Sequence, residues 1–185
     1  HYVALLNYLD QKLTQAGSSM RLVLLLYVDL LWAPEHNKIE NPDRFVLMFA
    51  PITRTFESSF ADHGPLQPEP EFRLNQLTFP SDLETNLTFL KDWQKAAPCD
   101  SFVYDYPLGR AHYGDPAYVG IARIIYRDLQ YNHALGLNGI NSCQELRAAF
   151  PNALPNYVMA RVSMDTSLSF EAIADEYYEA AYGKQ

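Results

Sequence analysis

Apolar positions along this chain alternate between helical spacing and short continuous runs. The first stripe has helical spacing, and it comprises Tyr2, Leu5, Leu6, Leu9 and Leu13. It predicts a helix that Gly17 closes. Residues 21–28 then read Arg-Leu-Val-Leu-Leu-Leu-Tyr-Val, without alternation. Such a run is typical of a strand that is buried on both faces, and here it ends at Asp29.

Three further strands and four further helices follow from the same pattern. Residues 45–50 predict a second strand, which Pro51 ends, residues 102–105 a third and residues 139–141 a fourth. A capping box at residues 81–84 introduces a helix that ends before Pro98, and another helix starts at Tyr118 and runs to Gly136. The tail predicts helices within residues 155–183. Residues 53–79 show little periodicity, which favours a long irregular excursion tied to a site, a lid or an insertion.

This order of elements predicts an α/β fold with about four parallel strands and flanking helices. An open doubly wound sheet and part of a barrel both satisfy it. Four strands within 185 residues correspond to half of a (β/α)8 barrel. We therefore expect the C-terminal half of a TIM barrel, with residues 1–185 as a single domain and the other half before His1.

Charge and composition narrow the classes of partner. A net charge of -8 without a run of Lys or Arg argues against nucleic acid and anionic membranes, which require a basic face. The longest apolar run is far shorter than the roughly 20 residues of a spanning helix. No glycine-rich phosphate loop is present, so no nucleotide cofactor is expected. Cys99, Cys143, His112 and His133 lack the spacing of a metal site or a disulfide framework.

Polar and aromatic residues follow each predicted strand. The carboxyl ends of parallel strands meet at one edge, so these residues are expected to converge there. We predict Asp105 and Glu145 as the catalytic carboxylates. The predicted substrate contacts are Asp29, Trp32, Arg54, Tyr104, Tyr106, Asn141 and Gln144. Carboxylates, amides, an arginine and rings together are typical of a carbohydrate site.

Structural explanations compete with each of these roles. Short acidic side chains such as Asp29 and Asp105 often cap loops after strands. Glu145 fits the first turn of a helix, where the macrodipole favours an acid. Arg54 has Glu57 and Asp62 within reach along the chain as ordinary ion-pair partners.

Several segments also resemble a known family in their order along the chain. They include Val-Tyr-Asp-Tyr at residues 103–106, residues 45–54, Leu-Pro-Asn-Tyr-Val at 154–158 and Asp-Thr-Ser-Leu at 165–168. They resemble a bacterial domain of unknown function that occurs in large predicted glycoside hydrolases, similar to α-glucuronidase-type and hexosaminidase-type barrels. The resemblance implies the later part of a catalytic barrel, and the Arg54 and Asp105 motifs match the family pattern.

These observations predict a fragment of a glycoside hydrolase that acts on a polysaccharide or oligosaccharide. One alternative is a carbohydrate-binding module without catalysis, and another is an inert scaffold half of a barrel. Half a barrel leaves an open sheet edge and apolar surface, so we also expect self-association.

Overall fold

The computed structural model describes residues 1–109, 114–143 and 152–184. These residues form five α-helices and four β-strands. In chain order they are α1 (Tyr2–Gln15), β1 (Leu22–Leu26), β2 (Phe45–Phe49), α2 (Leu83–Ala96), β3 (Asp100–Asp105), α3 (Val119–Tyr131), β4 (Ile140–Ser142), α4 (Leu154–Met164) and α5 (Phe170–Tyr182). None of the described helices is long and apolar enough to cross a membrane.

The strands form one sheet in the order β1-β2-β3-β4, so each strand lies beside its predecessor in the chain. β1 pairs in parallel with β2, and β2 pairs in parallel with β3. At the far side, the amide of Val103 donates to the carbonyl of Gly139 at 3.0 Å. The prediction of an α/β fold with four parallel strands is confirmed.

The two faces of the sheet differ in exposure. The register places Leu24, Leu47 and Ser101 on one face, and each of these residues is almost completely buried. The other face carries Val23, Val46, Leu25, Met48, Phe102 and Tyr104, of which Val23 is 53% exposed and the others are half-buried. The residues of the continuous apolar run of β1 therefore alternate between two faces of the sheet. One face is fully buried, and the other is apolar but only partly covered.

The described residues divide into two compact units. The first comprises His1–Arg54, Gly64–Asp105 and Gly136–Asn141, and the second comprises Thr55–His63, Tyr106–Leu135 and Ser142–Gln185. The first unit contains α1, α2 and nearly all of the sheet. The second contains α3, α4 and α5, which share an apolar core that includes Ile121, Ile125, Val158, Val162 and Ile173.

Helix α1 buries only part of the predicted stripe, in which Leu6 is buried and Tyr2 and Leu13 are half-buried. Leu5 and Leu9 are exposed by 54% and 39%, whereas Val3, Leu6 and Asp10 are buried. Asp10 accepts a hydrogen bond from Arg44 Nε at 2.7 Å. Burial opposes ionisation of Asp10, but hydrogen bonds from Arg44 and Asn41 outweigh it and lower the pKa of this carboxyl. A buried ion pair thus turns α1 away from its most hydrophobic face.

Helix α2 begins at Leu83, but not through the predicted capping box. Asp82 is the N-cap, and its carboxylate accepts from the amide of Thr85 at 2.7 Å. The predicted partner Glu84 instead accepts from the amide of Gly64 at 2.6 Å, and so holds the irregular excursion against α2. The stop at Gly17 is confirmed, because its φ is +67° and the amide of Ser18 donates to Leu13.

Candidate functional site

A buried ion pair lies where β2 and β3 end. Asp105 is the last residue of β3. After β2, the amide of Arg54 donates to the carbonyl of Pro51, and this turn directs the guanidinium toward Asp105. Arg54 Nη1 donates to Asp105 Oδ2 at 3.0 Å, and the two side chains are 0% and 5% exposed. Of the acids considered as partners from the sequence, Asp62 pairs with Arg127.

This pairing limits what each group can bind. The guanidinium of Arg54 already neutralises a carboxylate, so it is a poor site for a uronate. A carboxylate this deep in the protein is stable because of the cation beside it, and both side chains hold their positions firmly. The arrangement holds a buried, oriented carboxylate at the carboxyl end of a parallel sheet, which is the end where α/β enzymes place their chemistry.

The two tyrosines beside Asp105 do not share its surroundings. Side chains alternate along a strand, so Asp105 lies on the fully buried face with Ser101 and Val103, and Tyr104 lies on the partly covered face. Tyr106 follows the strand, is half-buried and belongs to the second compact unit. The predicted Tyr-Asp-Tyr group therefore separates because neighbours on a strand face opposite ways.

Asp29 and Trp32 do lie together, after β1. They line a small cavity of about 110 Å³ together with Tyr2, Asn37 and Trp93. Asp29 is exposed, and Val28 before it has φ +55°, a left-handed conformation that is strained for a β-branched residue.

Trp32 has structural contacts that account for much of its surface. Its indole Nε1 donates to the carbonyl of Pro70 at 2.6 Å. Its ring meets Phe72 and Phe89 edge to face, with centroid distances of 5.5 and 5.0 Å. Trp32 therefore fixes the excursion after β2 as well as lining the cavity.

The remaining predicted site residues lie at or after β4. Asn141 is exposed within this strand. Gln144 and Glu145 lie outside the described residues. The catalytic role of Glu145 therefore stays a prediction.

A second pair of carboxyl groups was not predicted from the sequence. Glu69 and Asp92 line a cleft of about 280 Å³. Glu69 Oε2 is buried without a hydrogen-bond partner among the described residues. Burial raises the pKa of Glu69, and the nearby charge of Asp92 raises it further.

A sequence signal for this site exists in Pro68-Glu69-Pro70. Two prolines restrict the backbone around the acid, within the irregular excursion. Asp92 lies 23 positions further along, on α2, so their proximity depends on the tertiary fold and not on a local pattern.

The described cysteines and metal-ligating residue types add neither a strong nucleophile nor a metal site. Cys99 and Cys143 are free and half-buried, and burial raises the pKa of the Cys99 thiol. Cys99 is therefore a weak nucleophile. Within residues 1–109, 114–143 and 152–184, no group of three or more His, Cys, Asp or Glu could hold a metal ion.

The chain was also compared with known proteins. It matches no family model, no curated protein and no solved structure.

Proposed function

We propose that this chain supplies four consecutive strands of a (β/α)8 barrel in a glycoside hydrolase acting on a polysaccharide or oligosaccharide. The observation that carries the proposal is the strand order β1-β2-β3-β4. In a doubly wound sheet the order reverses at a switch point, whereas in a barrel every strand lies beside its predecessor. The order found here has no reversal.

The partly covered sheet face supports the same proposal. Bulky branched side chains from the strands fill the interior of a (β/α)8 barrel. Val23, Leu25 and Val46 are side chains of this kind, on the face that is only partly covered. Further strands closing the barrel would bury them.

Asp105 and Glu145 are the proposed carboxylate pair, and Arg54 is the group that orients Asp105. Tyr104, Tyr106, Trp32, Asp29, Asn141 and Gln144 are the proposed sugar contacts. In the complete site, carboxyl groups about 5 Å apart would give retention of configuration at the anomeric carbon, and about 6.5–9.5 Å would give inversion.

One observation favours a second candidate, a site that binds a glycan without cleaving it. Asp105 is buried on the fully covered face, opposite to the face that would line the barrel, and it is engaged by Arg54. A carboxylate in that position holds a loop as readily as it transfers a proton. The experiment must therefore separate a catalytic role from a supporting one.

The test is hydrolysis of polysaccharides and aryl glycosides by the full-length enzyme and by its Asp105→Asn variant. We expect kcat to fall about 10²- to 10⁴-fold with KM little changed and the circular dichroism spectrum retained. Asp100→Asn is the matched control, because Asp100 lies on the same strand with its side chain 45% exposed. Full activity in a folded Asp105→Asn variant would remove Asp105 from the mechanism. Sugar binding without any product would favour the binding module.

A further inference from the structure

An aromatic groove on the second unit is not explained by the core or by the proposed site. The helix α5 packs through Phe170, Ile173 and Ala174, which are buried. Tyr178 and Tyr182, one turn apart, line a groove of about 640 Å³ instead. We call it the tyrosine groove. A groove of this size falls in the range of small-molecule sites.

The two rings form an open aromatic surface. Their centroids are 6.1 Å apart and their planes are inclined by 31°, so the rings face similar directions. Tyr182 is 70% exposed. The neighbouring Tyr177 is different, because its hydroxyl accepts from the amide of Ala153 at 2.8 Å and so ties α5 to the start of α4. Tyr177 stabilises the unit, and Tyr178 and Tyr182 are left to line the groove.

Two carboxylates lie beside the rings. Asp175 and Glu179 also line the groove and are one helical turn apart. Glu179 meets Lys184 at 3.8 Å, where both side chains are largely exposed, so this pair is weak. The carboxylate of Asp175 makes no ion pair or hydrogen bond to another described residue. Among the described residues that line the groove there is no Lys, Arg or His.

The tyrosine rings and carboxylates of the groove together favour one chemical class of ligand. An anion would meet repulsion, and a neutral apolar ligand would strip water from two carboxylates without replacing it. An organic cation satisfies both features, since the ring faces attract it through cation–π interactions and the acids attract it directly. The net charge of -8 on the chain also favours the approach of cations.

We propose that the tyrosine groove binds an organic ammonium group. The ammonium could belong to a free alkylammonium compound or to the amino-sugar units of a cationic glycan. The proposal does not depend on hydrolysis, so its failure and that of the proposed function are distinguishable. If the amino sugar binds, the groove gives the proposed enzyme a second contact with a cationic polysaccharide.

Calorimetric titration tests the site with tetramethylammonium and choline, and with 3,3-dimethylbutanol as the neutral isostere of choline. We expect saturable binding of the two cations, weakened by salt, and little binding of the alcohol. Equal binding of choline and its neutral isostere, or no saturable binding of any ammonium compound, would overturn the proposal.

Substitutions in the tyrosine groove test whether the ammonium compound binds there. Tyr182→Leu should weaken choline binding about three- to fivefold, whereas Tyr182→Phe, which keeps the ring, should restore it. Asp175→Asn should weaken it about two- to fivefold. Tyr8→Leu is the control, since Tyr8 is 53% exposed on α1, in the other unit. An unchanged affinity in both Tyr182→Leu and Asp175→Asn would contradict this location.

A second set of ligands separates the sources of the ammonium group. Glucosamine trimer carries the cation and its N-acetylated counterpart does not. Tighter binding of glucosamine trimer than of choline assigns the groove to a cationic glycan, and the reverse order assigns it to a free amine. Saturable binding of both trimers with equal affinity would overturn the proposal, because the charge would then be irrelevant.

Discussion

At the scale of single residues, the buried and half-buried acids of the first unit differ in whether a cation neutralises them. Asp105 lies against the guanidinium of Arg54, and Asp10 lies against that of Arg44. Glu69 has the carboxylate of Asp92 nearby, and its Oε2 atom is buried without a hydrogen bond. Burying a charge without a partner costs free energy. Glu69 therefore opposes folding at neutral pH.

Glu69→Gln should accordingly stabilise the protein at pH 7. The folded-state pKa of Glu69 lies above its ordinary value of 4.5. Between these two values the native state binds more protons than the unfolded state, so stability falls as pH rises through that window. Solvent screens a partly exposed side chain, so we expect a gain of about 0.5 kcal/mol at pH 7 that disappears below pH 4.5. Thermal unfolding across pH measures it.

Glu35→Gln is the matched control for this prediction. Glu35 lines the same cleft, but its side chain is 86% exposed. Its substitution should leave the melting temperature unchanged. A gain for Glu69→Gln that persists undiminished at pH 4 would show that its origin is not the carboxylate.

The sequence identified Arg54 and Asp105 individually, because each follows an apolar run at a strand end. Their mutual ion pair was not predicted, since the partners are 51 positions apart and nearer acids were available. Likewise, the apolar stripe of α1 was chosen by hydrophobicity, but the pairing of Asp10 with Arg44 decided which face is buried. Such pairings depend on which strands become neighbours. A single sequence does not encode that in local spacing.

At the scale of elements, the carboxylate of Asp128 is the buried link between the segment Thr55–His63 and α3. Asp128 Oδ1 accepts from Ser59 Oγ at 2.7 Å and from the amide of Phe60 at 2.6 Å, and all three residues are buried. The segment has no apolar periodicity of its own, and the sequence therefore predicted it only as part of a long excursion. Its conformation follows from a hydrogen bond across 69 positions.

Asp128→Ala should release this segment. The substitution removes the acceptor that Asp128 supplies to the buried Ser59 hydroxyl and Phe60 amide, at a cost of about 3 kcal/mol. Hydrogen exchange should accelerate at residues 59–63 more than elsewhere in the second unit. Arg127→Ala is the control on the same helix, because its pair with Asp62 is partly exposed and contributes less than about 1 kcal/mol. Unchanged exchange in this segment for Asp128→Ala would contradict the tether.

At the scale of the whole molecule, the main feature is the sheet face that remains partly uncovered. The periodicity of the sequence sufficed for strands, helices and their parallel arrangement, because burial dictates these patterns locally. It could not reveal how much of each face is covered. That depends on the neighbours that the sheet acquires.

We expect this face to mediate self-association of the chain. Val23→Glu should shift the protein toward monomer, because it places a charge at the most exposed apolar position of the face. Sedimentation velocity over a range of concentrations provides the measurement. Leu74→Glu is the control, since Leu74 is 77% exposed in the excursion after β2. A wild-type chain that remains monomeric at all concentrations would contradict the half-barrel proposal.

The hydroxyl of Tyr2 affects how readily the edge of β1 pairs with strands of other chains. It accepts a hydrogen bond at 3.2 Å from the amide of Leu25, on a strand whose only neighbour in the described sheet is β2. An edge amide without a partner is a template for strands of other chains and for fibril growth. The phenol oxygen of Tyr2 satisfies the amide of Leu25, so we expect it to disfavour pairing of β1 with a strand of another chain. Phenylalanine at this position would fill the same space and leave the chain more prone to form fibrils.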